Sequence, residues 1–115
     1  MAYDERLASR VRALLRGQRG LVEKKMFGGL AYLSHGRMFA GILKSDLVVR
    51  IGPEVYDKAL KRPHTRPMDF TGRPMKGYIY VSPVGTMDAA RLRTWLAQGQ
   101  KFVASLPQGR REKAH

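Results

Sequence analysis

Residues 66–81 read RPMDFTGRPMKGYIYV and contain two prolines, two glycines and two methionines ahead of an apolar run. The β-branched and aromatic residues at its end predict a strand over Lys76 to Ser82. Prolines and glycines earlier in the stretch predict a turn over Thr71 to Pro74 and an extended crossing before it. A second short strand is expected at Met68 to Phe70. The chain therefore carries a specific strand-and-turn unit here rather than a linker.

The segment between residues 21 and 51 has strand composition interrupted by short turns. Leu21–Leu33 is predicted to be extended, with a bulge or a close backbone approach at Gly28 and Gly29. A hairpin turn is expected at Ser34–Arg37, with Gly36 at positive φ. Short turns between strands force antiparallel pairing, so the segment predicts a meander. Its two further strands are Met38–Leu43 and Leu47–Ile51.

Three segments show apolar residues at helical spacing. The first is Asp4–Arg16, with Asp4 as its N-cap. The second is Pro53–Lys61, which begins with a proline. The third starts after Thr86 or Asp88 and runs to about Leu106, with Gly99 on its apolar face to allow a close approach to the sheet.

The element order predicts an α+β fold, because amphipathic helices need an apolar sheet face to cover. We expect a two-layer domain with an antiparallel sheet of four to five strands, a meander plus one or two strands, in the order α-β-β-β-α-β(-β)-α. Residues 1–107 are predicted to form a single domain, and residues 108–115 a basic disordered tail.

Composition limits the possible functions. The 115 residues carry 22 Lys and Arg against 9 Asp and Glu, a net charge of +13, and no cysteine. The absence of cysteine excludes disulfides and thiol chemistry. No segment has the length or apolarity of a membrane span, and the N-terminus lacks the pattern of a secretory signal, so we expect a cytoplasmic protein without membrane contact. The charge favours either contact with a polyanion such as nucleic acid or a solvated basic surface.

No set of residues suggests catalysis. The serines lie in no nucleophile motif, the glycine pairs do not form a phosphate loop, and the three histidines are far apart in sequence. We therefore expect no enzymatic activity, no cofactor and no metal. Asp69, between Arg66 and Arg73, is interpreted as one half of a structural ion pair rather than as a site carboxylate. The alternative is a small-ligand-binding domain with a pocket between sheet and helices, which a polar-lined cavity near Asp69 would support.

Basic residues surround the predicted meander and the proline-rich segment, with aromatic residues between them. Such side chains could neutralise phosphates or contact an acidic partner. The candidate contact residues are Lys24, Lys25, Arg37, Arg66, Arg73 and Lys76.

Two segments, EKKMFGGLAY at residues 23–32 and the stretch at residues 66–80, resemble the TfoX N-terminal domain family. The resemblance extends from about Tyr3 to Pro107 and includes VRIGPE at residues 49–54. It implies a two-layer α/β domain with an antiparallel sheet. It also implies a bacterial regulatory role, since members of the family are linked to competence regulation, exercised through a protein partner or a homodimer. The family offers no catalytic residues to carry over.

Overall fold

The computed structural model describes residues 3–26, 28–69, 72 and 74–107. The tail predicted at residues 108–115 lies outside this range. The described elements, in chain order, are α1 (Glu5–Leu15), β1 (Leu21–Met26), β2 (Gly29–Ser34), β3 (Arg37–Leu43), β4 (Asp46–Arg50), α2 (Tyr56–Ala59), β5 (Thr65–Pro67), β6 (Tyr78–Val81), a 3-10 helix (Pro83–Thr86) and α3 (Ala89–Ala104).

The strands form one sheet in the order β1-β2-β3-β4-β6-β5, and each neighbouring pair is antiparallel. The α+β class and the antiparallel sheet are thus confirmed, with six described strands instead of four to five. The additional strand arises at Gly28–Gly29. Met26 pairs with Gly29, so the chain reverses there and forms a hairpin. The interpretation of this glycine pair as a bulge within one long strand was wrong.

The predicted close approach at the same glycines is confirmed at Gly29. A methyl group on its Cα would overlap the carbonyl oxygen of Ile42 in the adjacent strand. The hairpin at Ser34–Arg37 is also confirmed, because Ser34 pairs with Arg37 and Gly36 has a φ of 84°. Only glycine adopts this backbone conformation without strain.

Two elements are shorter or displaced. The predicted helix Pro53–Lys61 is a single turn, Tyr56–Ala59, because Val55 stands at its N-cap and supplies no side-chain hydrogen bond. The Thr65 hydroxyl donates to the carbonyl oxygens of Ala59 at 3.1 Å and Arg62 at 2.8 Å, where the helix ends. The short strand expected at Met68–Phe70 begins three residues earlier, as β5, and Phe70 lies outside the described residues.

The two longer helices begin at side-chain caps. Asp4 accepts hydrogen bonds from the backbone N–H groups of Arg6 at 2.8 Å and Leu7 at 3.1 Å, as predicted. Of the two caps proposed for the last helix, Asp88 is the one observed, since its carboxylate accepts from the Arg91 N–H at 2.7 Å. Carboxylates at these positions satisfy otherwise unpaired N–H groups and interact favourably with the helix dipole.

One face of the sheet, which we call the helix face, carries the main core. Two rows of residues run across its strands, and their side chains pack with the buried residues of all three helices. Alternation along each strand places these residues on one side. The rows are Tyr32, Ala40, Val49 and Ile79, and Leu30, Ile42, Leu47 and Val81.

The α3 helix lies against β3 at Gly99. A methyl group at this position would overlap the carbonyl oxygen of Phe39, which stands at a bulge of β3 between the paired residues Met38 and Ala40. The predicted close approach of helix and sheet is therefore confirmed. The missing side chain lets the backbones of the two layers meet.

We expect Gly99→Ala to lower the free energy of unfolding by about 1–3 kcal/mol, since the new methyl group overlaps backbone that cannot rotate away. The higher helix propensity of alanine would by itself raise the free energy of unfolding by about 1 kcal/mol. Urea denaturation measures the difference. Arg93→Ala, at an exposed position of the same helix, is the control and should change stability by less than about 0.5 kcal/mol. A Gly99→Ala variant as stable as the parent would show that α3 can move off the strand freely.

Candidate partner-binding surface

The opposite face of the sheet, which we call the open face, has a different composition. A single row of directly paired residues crosses all of its strands: Lys24, Ala31, Gly41, Val48, Tyr80 and Arg66. Val48, Tyr80 and Met68 form a small buried cluster, and Met38, Leu43 and Tyr78 pack against it partly buried. The buried residues of the described helices belong to the other face. The open face is therefore apolar in its middle and cationic at both ends.

Arg66 forms the cationic end on β5. Its Nη2 atom lies 2.6 Å from Asp46 Oδ2, and its guanidinium carbon lies 4.5 Å from the centre of the Tyr80 ring. The hydrogen bond to Asp46 raises the pKa of Arg66. Burial, followed by the charge of Asp69, raises the pKa of Tyr80. Tyr80 is thus a covered ring beneath a cation, with only 7% of its surface exposed.

Asp69 does not form the predicted pair with Arg66, because Asp46 occupies that position. The Asp69 side chain is exposed, and its charge acts on Arg66 and Tyr80 from a distance. The other expected partner, Arg73, lies outside the described residues. An ion pair between Asp69 and Arg73 stays a prediction.

The candidate contact lysines do not form one patch. Lys24 lies on the open face, whereas Lys25 is paired with Leu30 in a row of the helix face. Lys24 and Arg66 stand at opposite ends of one row, five strand spacings or about 24 Å apart. Lys76 is exposed in the turn before β6. A single phosphate group cannot bridge such a distance, but an extended partner can.

Arg37 has a structural role. Its guanidinium donates hydrogen bonds to the carbonyl oxygens of Val103 at 3.1 Å, Leu106 at 3.4 Å and Pro107 at 2.5 Å. The last carbonyls of a helix lack partners within the helix, and a guanidinium fork can satisfy several of them. Arg37 therefore ties the end of α3 to the hairpin between β2 and β3.

An ion pair that the sequence did not indicate joins α1 to β1. Arg12 donates from Nε and Nη2 to the two carboxylate oxygens of Glu23, each at 2.8 Å. This bidentate bond lowers the pKa of Glu23. Burial, with the nearby Glu23 charge, raises the pKa of Tyr32. The two residues are 11 positions apart in the sequence, one on a helix and the other on a strand, so no local spacing could reveal the pair.

A sequence model of the TfoX N-terminal domain matches residues 13–103. The chain belongs to the TfoX N-terminal domain family. Neither a curated protein nor a solved structure matches it. The matched region includes every strand of the sheet, and with them both faces and both edges.

The described residues of this TfoX N-terminal domain line at least two cavities. One, of about 340 Å³, is lined by Arg62, His64, Arg91 and Trp95, among others. Arg62 is already engaged there, since it lies 3.8 Å from the centre of the Trp95 ring and donates to Gln98 at 3.0 Å. The second is a groove of about 900 Å³ between α3 and residues 51–59. Asp69 lines neither cavity, so neither supports the ligand site considered for that residue.

Within the described residues, no group of three or more His, Asp or Glu side chains could hold an ion. Over the same residues, none of the helices has the length and apolarity needed to cross a membrane.

We expect the Arg12–Glu23 pair to make stability depend on pH. The folded-state pKa of Glu23 is lowered, so the contribution is present above the unfolded pKa of about 4.3 and is lost as the pH falls through the folded value. Both side chains are partly exposed, and Glu23→Gln should cost about 0.5–1 kcal/mol at pH 7.

Denaturation of parent and variant at several pH values measures this cost, which should shrink as the pH falls below the unfolded pKa of about 4.3. Glu54→Gln is the control, because Glu54 is exposed and has no ion pair among the described residues. A cost for Glu23→Gln that stays constant down to pH 3 would contradict the assigned cause.

Proposed function

We propose that this TfoX-like regulatory module is non-enzymatic and acts by binding another protein through the open face of its sheet. The observation that carries the proposal is the asymmetry of the two faces. All three described helices bury their apolar residues against one face, while partly exposed apolar side chains stay on the other. Apolar surface with a polar rim is typical of protein interaction sites.

The rim of the open face indicates the chemistry of the partner. Lys24 and Arg66 stand at the two ends of the central row, and the whole chain carries a charge of +13. A partner with an apolar centre and acidic flanks complements this surface. Electrostatic complementarity of this kind accelerates association and excludes other basic proteins.

The geometry gives no support to catalysis. Arg66 and Asp46 neutralise each other, Glu23 is held by Arg12, and Arg37 binds the end of α3. These pairings suit fixed structural roles better than proton transfer. By analogy with the family, we assign the module to transcription or competence regulation in a bacterial cytoplasm, with no cofactor.

Nucleic acid is the second candidate partner. Lys24, Arg66 and Lys76 are cationic groups on or beside the sheet, and they could follow a phosphate backbone. Base stacking on the open face has less support, because Tyr80 is covered by Arg66. Tyr32 and Phe39, two other aromatic residues near the basic side chains, lie in the core of the helix face. The covered aromatic rings favour a protein partner.

We expect Arg66→Ala to abolish regulation in cells. In the organism that encodes the chain, a deletion strain is complemented with the parent, Arg66→Ala or Arg93→Ala, and transcripts are compared. Arginine is enriched among the few hot-spot residues of an interface, whose truncation weakens binding about thirtyfold or more, so Arg66→Ala should fail to restore the parental profile. Arg93→Ala removes a cation on α3 instead and should restore it. A folded Arg66→Ala variant with full output would refute the open face as the binding site.

We expect only weak binding to duplex DNA, with a Kd of about 10 μM or weaker at 150 mM salt. Fluorescence anisotropy with a labelled duplex over 50–500 mM salt gives both the affinity and its salt dependence. A Kd below about 0.1 μM at 150 mM salt that rises steeply as more salt is added would favour the nucleic-acid function instead.

A further inference from the structure

The two edges of the sheet differ in length and protection. β5 has only three residues, Thr65–Pro67, and ends in a proline that cannot donate a backbone hydrogen bond. β1 has six residues, Leu21–Met26, with no proline, and all but Leu21 are exposed. A long edge strand of this kind can pair with another strand.

The direction of the free backbone groups on β1 follows from the hydrogen bonds of the hairpin. The His35 N–H donates to the Gly20 carbonyl at 2.8 Å, next to the pair Leu21–Ser34. Hydrogen-bonded pairs recur at every second position of an antiparallel ladder. Val22, Lys24 and Met26 therefore bond to β2, and Leu21, Glu23 and Lys25 direct their N–H and C=O groups away from the sheet.

We propose that this edge pairs with the same edge of a second copy, antiparallel, with Lys24 on the two-fold axis. In this register Glu23 faces Lys25 of the partner subunit, and the reverse pair forms across the axis. Both residues direct free backbone groups outward, so each pair exchanges main-chain hydrogen bonds and also joins opposite charges. Val22 faces Met26 of the partner subunit on the open face.

The exposed side chains favour this register over its neighbours. A shift that puts Glu23 on the axis places two carboxylates opposite each other. One that puts Lys25 there opposes two ammonium groups, as the proposed register does at Lys24, but without the two compensating Glu23–Lys25 pairs. A shift by a single residue sets the apolar helix face of one copy beside the open face of the other. Val22 is 50% exposed and Met26 is 40% exposed, and both become more buried when each pairs with the other residue in the second copy. Arg12 already holds Glu23, and a carboxylate can accept a further bond from Lys25 of the partner subunit.

Lys24 opposes its own copy across the axis, and each copy carries +13. Like charges directly opposite each other destabilise a strand pair. The dimer should therefore tighten as salt rises from 50 to 500 mM, the opposite of DNA binding. The inference is independent of the proposed function, because a self-pairing edge does not require any partner on the open face.

Single cysteines test the register cleanly, because the chain has none of its own. At the axis, a non-hydrogen-bonded pair brings two Cα atoms to about 4.5 Å, within the range of a disulfide. Lys24→Cys should therefore give a disulfide-linked dimer under a mild oxidant at least tenfold faster than Val22→Cys. Val22 lies on the same face of the same strand, but its copy is about 13 Å away. Equal rates, or no cross-link at Lys24→Cys, would overturn the proposal.

A mixture of the separate Val22→Cys and Met26→Cys proteins should cross-link with each other, as the register requires. Sedimentation of the parent, which has no cysteine, supplies a second readout. The parent should form dimers, and Lys25→Glu should weaken the dimer affinity at least fivefold. Lys61→Glu changes the net charge equally at an exposed position away from the edge and should leave the dimer intact. A parent that stays monomeric at high concentration, or a dimer indifferent to Lys25→Glu, would refute the paired edge.

Discussion

The close contact of α3 with β3 at Gly99 sets the arrangement of this molecule. Because a hydrogen replaces a side chain there, the helix backbone rests on the carbonyl of Phe39, and Leu92, Leu96 and Val103 fill the space around it. Protein interiors are close-packed, and the apolar stripes of α1 and α2 join α3 in the same core on this face. The opposite face keeps its own small cluster and becomes the surface available to other molecules.

Local signals in the sequence were sufficient for much of the fold. Asp4 and Asp88 are side-chain caps and Gly36 takes positive φ, and all three act through neighbours in the chain. Helical spacing alone placed Gly99 on an apolar stripe, although its contact is with a distant strand. The hairpin between β1 and β2 was missed because residues 27–28 lack the usual turn dipeptides. The position of β5 is set by pairing with β6, which is more than ten residues away, and no local pattern encodes it.

The candidate site was predictable in composition but not in arrangement. The sequence shows that Lys24, Lys25 and Arg37 are basic, but strand alternation decides which face each occupies, and register decides their neighbours. Arg37 was expected to contact a partner, and it instead satisfies carbonyl groups 66 to 70 positions away. Arg66 pairs with Asp46 rather than with Asp69, which is nearer in sequence. Long-range partners of charged side chains are fixed by the folded topology alone.

The unequal edges of the sheet also determine how far any assembly can grow. Pairing of β1 with β1 leaves neither copy with a free β1 edge. The outer edge of the joined sheet is then β5 on each side, a three-residue strand that ends in Pro67. A self-complementary contact of this kind closes on itself. Association through the sheet would therefore stop at two subunits, and the proline at the far edge protects a strongly basic protein from forming fibres.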